Sequence, residues 1–463
     1  MHQKTLFIHR RDLRVHDNTG LAAAVARSEA VVPCFIFDPR QVGEANAYKS
    51  ERAVAFMAES LKELAESYTA KGGVLQIFEG EAHEVVKRLI QEEGIDAVFV
   101  NLDYTPFSQE RDEKLRAVCE EHRVTFEGFH DLMLSGDPDD PRLKTQHGEP
   151  YKVFTPFFKN ASASVTPERP TELTATNLFG GHLRGSDHDL LDQYRETDIV
   201  FPTPPGRSGC LSILKEAKRL KNYKDTRDLP SERTSRLSAH NKFGTCSVRE
   251  VYAALKHELG AGHELLRQLY WRDFFIQLSY HFPHVYGSSF NAQYDAVRWE
   301  QDETRFAAWC EGRTGVPIVD AGMRELNATG YMHNRCRMIV ASFLTKDLHL
   351  DWRWGERYFA QKLVDYDPAV NNGSWQWAAG TGADAAPYFR IFNPWLQGKK
   401  FDPDCAYTKT WLPELADLDP SLIHALDEKP LPDGVDYPTP LVDHRAEAAK
   451  AKELYGSALQ NVD

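Results

Sequence analysis

The alternation between Thr5 and Phe126 constrains this chain most. Short runs rich in β-branched and aromatic residues, Thr5–His9, Val31–Phe37, Val74–Phe78, Ala97–Asn101 and Val124–Phe126, take turns with longer helical runs, Gly20–Ala26, Arg52–Ser67, His83–Glu93 and Ser108–His122. Strands that alternate with helices form a parallel sheet with helices on both faces. The strand candidates are short and apolar throughout, as in strands buried on both sides. The expectation for residues 1–130 is an α/β domain with a five-stranded, parallel, Rossmann-like sheet. The turn after the first strand reads HRRDLRVHDNTG and lacks GxGxxG, which excludes an ordinary nicotinamide dehydrogenase. Its Arg10, Arg11, Asp12 and Arg14 read as a structural ion-pair cluster.

Residues 131–205 are rich in Pro, Gly, Ser and Thr and read as an interdomain linker. Within them YKVFTPFFK (Tyr151–Lys159) reads as a packing segment. From Gly206 the periodicity is helical, in SILKEAKRLKNY, SVREVYAALKHEL and ELLRQLYWRDFFIQLSYHF. Residues 206–463 are therefore expected to form an all-α domain.

The densest chemistry lies in DYDPAVNNGSWQWAAGTGADAAPYFRIFNP, from Asp365 to Pro394. Small residues there let a flat object approach the backbone, and Trp375, Trp377 and Tyr388 offer faces for stacking. Asp365, Asp367, Asn371 and Arg390 are costly to bury unless something satisfies them. Composition alone reads this stretch as a buried helix followed by an Asn-Gly turn. TSRLS, Thr234–Ser238, places hydroxyls and an Arg together, a set that suits phosphate, although on the residues alone helix N-capping is the stronger reading.

No apolar run reaches the roughly 18 residues of a membrane span. The N-terminus MHQKTLFIHRRDLR has no secretory pattern. Cys34, Cys119, Cys210, Cys246, Cys310, Cys336 and Cys405 are scattered without a CxxC pair, so the expectation is a cytoplasmic protein with reduced thiols and no metal site. Net charge is −13, which argues against a nucleic-acid partner, but it is unevenly spread. Phe401–Asp463 holds 13 acidic and 5 basic residues, whereas Leu214–His240 holds 8 basic and 4 acidic ones, so a basic face remains compatible with the total.

The Asp365–Pro394 stretch resembles the flavin-binding signature of the photolyase/cryptochrome family, and RRDLRVHDN resembles the start of its N-terminal domain. The resemblance spans nearly the whole chain and is closest to class I cyclobutane pyrimidine dimer photolyases. It implies a helical FAD-binding domain and light-driven repair, by electron transfer from photoexcited reduced FAD to a flipped-out dimer. It assigns Thr234, Ser235, Arg236, Leu237 and Ser238 to the FAD pyrophosphate and Tyr223 to another flavin contact. Arg272 lies by the flavin, Arg337 pairs with Asp365 beside it, Asp367 joins the same set, and Asn371 faces flavin N5. Trp299, Trp352 and Trp375 match the family's electron-carrying tryptophan chain.

The same resemblance makes Trp271 and Trp377 the walls that stack on a damaged base pair, which photolyases take out of the duplex. Asn334 hydrogen-bonds the lesion and Met338 packs against it. Gln268 departs from the pattern: dimer photolyases commonly carry Glu there, and an amide offers neither a proton nor a carboxylate. The partner implied is DNA containing pyrimidine dimers, and the protein is expected to be a monomer. Two rivals stand beside this reading. A cryptochrome, sensing light without repair, is favoured by Gln268 and the net charge and opposed by Asn371, Trp377, Asn334 and Met338. A (6-4) photolyase is opposed by Asn334. A second, antenna chromophore, folate or deazaflavin, is left open by GEANAYKSERAVAF and NLDYTPFSQERD, which match no single binding pattern.

Overall fold

The computed structural model describes residues 1–195, 199–385 and 387–460. These fall into two compact units. One comprises Met1–Lys221, Ser235–Pro283 and Val364–Asp367; the other comprises Asn222–Thr234, His284–Leu363 and Pro368–Asp463.

The first unit is built on a five-stranded parallel sheet: β1 (His2–His9), β2 (Ser28–Phe37), β3 (Gln76–Glu79), β4 (Ala97–Asn101) and β5 (Thr125–Phe129), in the order β3-β2-β1-β4-β5. Side chains of a strand alternate between faces. Phe7, Val31, Phe35, Phe37, Ala97 and Phe99 accordingly enter one apolar core with Phe56, Leu61 and Leu64 of the helix Glu51–Thr69. Their neighbours Leu6, Ile8, Val32, Cys34, Ile36, Val98 and Val100 enter a second core, with Val85, Val86 and Leu89 of the helix Ala82–Glu93 and Leu115 and Cys119 of Pro106–Glu121. Both faces are covered, which is why the strands read as unbroken apolar runs.

Helix boundaries follow their caps. Asn18 accepts from Leu21 N and starts the first helix at Thr19; Ser50 and Thr105 do the same for the helices at Glu51 and Pro106. Gly94, at φ 67°, ends Ala82–Glu93 in the left-handed conformation that costs Gly little. The loop-rich segment after residue 130 contains a helix, Phe154–Ser164, inside the packing motif. The described residues hold no strand beyond Phe129.

The second unit is helical. The helices Trp352–Lys362 and Pro368–Ala379 pack on each other, and the last helix, His444–Gln460, packs on Phe343–Asp347 and Ala292–Ala296. Tyr455 donates to Ala379 O at 2.7 Å, and Glu447 meets His349 Nε2 at 2.6 Å.

Within the first unit, Asp131 is buried between Arg14 (2.5 Å) and Arg249 (2.8 Å). Burial alone raises a carboxyl pKa; here the two guanidiniums outweigh it and hold Asp131 below the usual carboxylate range. Asp131→Asn leaves buried Arg14 without its carboxylate partner and Arg249 with Asp17 alone. It is expected to cost about 3–5 kcal/mol in urea unfolding at neutral pH, and a loss under 1 kcal/mol contradicts this account.

Candidate active site

The expected site residues divide between the two units. In the second, the helix Pro368–Ala379 carries Asn371 and Trp375 four residues apart, on one face. Asn372 and Gly373 do not form the turn that composition suggests. They stay helical because the Asn372 amide donates to Val285 O at 2.9 Å and Gln376 Nε2 reaches Val285 O and Ser288 O, so side chains reach the neighbouring segment without breaking the helix. Trp375 is 2% exposed. Its indole meets Phe359 edge-on at 4.9 Å and Trp309 at 6.1 Å. Gly355 makes that seat: a Cβ there falls 2.1 Å from Trp375 Cη2.

Asn371 donates to Glu356 O at 3.1 Å. The residue is buried. In the first unit Asn241 Oδ1 is buried without a donor, and its backbone oxygen accepts from Arg272 Nη2 at 3.2 Å. An open, buried amide oxygen such as that of Asn241 suits an isoalloxazine N–H, so the first unit taken by itself fits a flavin.

Trp352 is 0% exposed and its Nε1 has no partner among the described residues; Trp299 is half-buried and meets Tyr455 edge-on at 5.7 Å. All three chain tryptophans thus belong to the second unit, with the least buried at Trp299. Asn334 opens the helix Asn334–Ser342, exposed, and its Nδ2 lies 3.7 Å from Met338 Sδ. Arg337, one turn along, donates from Nε to Met332 O at 2.8 Å. Trp377 is half-buried. Tyr223 begins a short helical turn, Tyr223–Thr226, and Thr234 Oγ1 meets Tyr331 OH at 3.1 Å.

In the first unit, Ser235 Oγ accepts from Leu237 N at 3.4 Å, and Arg236 has φ 54° with Nη1 3.4 Å from Pro202 O. Leu237 leads into Ser238, the first residue of Ser238–Phe243, and no side chain caps that helix. The capping alternative for TSRLS is therefore absent at this helix. Gln268, Trp271 and Arg272 lie on Glu264–His281, all half-buried. Arg272 donates to Leu132 O at 2.8 Å and sits beside Asp273; burial pulls its pKa down and Asp273 opposes that. Asp365 is buried, and Asp367 pairs with Arg11.

Sequence reasoning missed Gly355, Glu356 and Phe154. Gly355 and Glu356 lay unremarked just after Trp352, and only the helix pair shows that one seats Trp375 and the backbone carbonyl of the other holds Asn371.

The chain matches the DNA photolyase family over residues 5–175 and the FAD binding domain of DNA photolyase over residues 265–457. A deoxyribodipyrimidine photo-lyase of Synechococcus sp. is 37% identical, with 97% of this chain and 96% of that one covered. An archaeal photolyase of Sulfolobus tokodaii, solved with two FAD molecules, superposes with TM-score 0.88 at 44% identity, covering 98% of this chain and 100% of that one. A bacterial class III photolyase of Agrobacterium tumefaciens gives 0.90 at 35% identity, covering 100% and 98%. The chain belongs to the photolyase/cryptochrome family, with an N-terminal α/β photolyase domain and a helical FAD-binding domain.

Glu356 gives the site a pH dependence. Burial pushes its carboxyl up to about 7 from 4.5, against the Asn372 hydrogen bond. A raised carboxyl stabilises the fold fully below the unfolded value and loses that contribution as pH rises through 7. Glu356→Gln is expected to exceed the wild type by roughly 3 kcal/mol well above neutrality and to match it near the unfolded value. Urea unfolding at both pH values checks this; a gap that does not change with pH overturns it.

Proposed function

We propose that this protein is a class I photolyase that uses light to split cyclobutane pyrimidine dimers in DNA, acting as a cytoplasmic monomer. The observation that carries this reading is the pairing of Asn334 and Met338. The amide is exposed at the start of its helix and touches the thioether one turn on, so a polar and an apolar lesion contact share one face. A (6-4) enzyme or its animal cryptochrome relatives resemble a different pair, with His in place of Asn334. The 37% identity to a deoxyribodipyrimidine photo-lyase over nearly the full chain supports the same substrate. The described residues hold no helix long and apolar enough to cross a membrane, in keeping with a DNA-directed role.

In this reading residues 1–130 form the antenna domain, 131–205 the linker and 206–463 the flavin- and lesion-binding domain. Tyr223, Thr234, Ser235, Arg236, Leu237 and Ser238 hold FAD with Arg272, Arg337, Asp365, Asp367 and Asn371. When bound and reduced, FAD supplies the photoexcited electron that opens the dimer and recovers it afterwards. The chain's own residues orient and exclude water. Trp271 and Trp377 stack on the flipped bases, Asn334 and Gln268 hydrogen-bond their polar edges, and Met338 fills the apolar side. Trp299, Trp352 and Trp375 carry electrons inward when the flavin is oxidised.

The test is anaerobic illumination of chemically reduced protein with single-stranded DNA carrying a thymine dimer, read as returning thymine absorbance. Light-dependent recovery is expected. Its absence, with flavin bound and photoreducible, overturns the proposal in favour of a (6-4) enzyme or a cryptochrome. Asn334→Ala is expected to weaken dimer binding by about 1 kcal/mol, measured by titration in the dark; unchanged affinity removes Asn334 from the lesion contacts. Trp375→Phe is expected to abolish photoreduction of oxidised flavin while sparing repair by reduced enzyme. Photoreduction at the wild-type rate removes Trp375 from the electron route.

A further inference from the structure

Trp271 does not stand alone in the first unit. The ring of Phe154 lies against its indole with centroids 3.6 Å apart and planes 9° from parallel. Aromatic pairs left to themselves prefer offset or edge-on arrangements at larger separation. A near face-to-face contact is therefore imposed by the surroundings, and these are visible. Phe154 is fully buried at the first position of Phe154–Ser164. Phe157 anchors that helix against Phe274 at 5.5 Å, and Phe274 also meets Phe154 edge-on at 5.7 Å. Arg267, one turn before Trp271 on the same helix, holds its guanidinium 5.1 Å from the Phe154 centroid, within cation–π reach. Phe274 touches the indole edge as well, at 5.7 Å and 82°.

The consequence concerns how Trp271 meets a ligand. One indole face is covered, so a base stacks on the other face only. The indole plane is also fixed before any ligand arrives, so little side-chain freedom is lost on binding. We infer that Phe154 is a positioning residue for the lesion: it backs Trp271, makes it one-sided and sets the plane on which the damaged base stacks. This rests on the reading of Trp271 as a lesion-stacking residue. The YKVFTPFFK segment then belongs to substrate recognition as well as to packing.

The experiment compares dark binding of two otherwise identical single-stranded oligonucleotides, one with a single thymine dimer and one undamaged, to flavin-loaded full-length protein. Phe154→Leu keeps an apolar side chain of similar volume and removes the flat backing. It is expected to weaken dimer binding roughly tenfold, within the range for loss of base stacking, while binding of undamaged DNA and repair per absorbed photon at saturating dimer stay at wild-type values. Phe154→Tyr keeps the flat ring and is expected to retain the preference for the dimer. Phe158→Leu removes the neighbouring ring, which packs on Phe154 and Tyr270, and is expected to lower stability without lowering that preference. Wild-type preference in Phe154→Leu overturns the inference, as does an equal loss in Phe158→Leu, which marks general packing. Should Phe154→Leu fail to hold flavin, loss of preference in a folded Phe154→Tyr overturns it and retention supports it. A wild-type protein with no preference for the dimer and no light-driven repair overturns the underlying reading, and the inference with it.

Discussion

The charged turn after the first strand governs how the first unit is assembled. Arg10 pairs with Asp112 at 2.7 Å, Arg11 with Asp103 at 3.0 Å and with Asp367, and Arg14 with Asp131. Each partner is remote in sequence, so one turn ties the sheet to the helix Pro106–Glu121, to the segment after β5 and to Val364–Asp367. Burial works against the Arg11 charge; Asp367 and Asp103 more than offset it and leave the pKa raised. The turn also carries backbone contacts. Leu13 N donates to Phe243 O at 3.0 Å and Arg14 Nη1 to Gly244 O at 3.2 Å. Gly244, at φ 62°, has no room for a side chain, since a Cβ there falls 2.1 Å from Arg11 O. Buried pairs of this kind add little net stability over apolar packing, but removing one partner strands the other. They fix which segments meet more than how strongly they hold.

This shows which parts of the molecule were legible in the sequence. The parallel sheet and its two-sided cores follow from a local signal, short unbroken apolar runs such as Leu6-Phe7-Ile8 and Val31-Val32 alternating with helical stretches, whereas the strand order is seen only in the structure. Helix starts shift by one or two residues because a capping side chain, such as Asn18 or Thr105, sets the boundary rather than the apolar pattern. The RRDLR cluster is recognisable as ion pairs, yet its partners are not, because Asp112, Asp131 and Asp367 carry no mark separating them from other acidic residues. Phe154 is hidden for the same reason: an aromatic in a Pro- and Phe-rich segment reads as packing until its ring is seen against Trp271.

In the second unit, two proposed functions share one mechanical support. The helix Trp352–Lys362 presents Gly355 and Glu356 in succession to Pro368–Ala379. Gly355 admits the Trp375 indole, and the carbonyl of Glu356 takes the Asn371 amide proton. Asn371 and Trp375 are one turn apart, so the group assigned to the flavin and the group assigned to electron supply are held by one helix-to-helix contact. A shift of either helix moves both together. That coupling explains why a small residue with no direct chemical role occupies position 355. Gly355 sets how closely the helices approach. Glu356 stays buried because a neutral carboxylic acid is far cheaper to desolvate than a carboxylate, and so it places progressively less negative charge beside Asn372 as pH falls below neutrality. A full carboxylate at that position, offset only in part by Arg357 and Arg353, acts electrostatically on its surroundings through a medium that screens poorly.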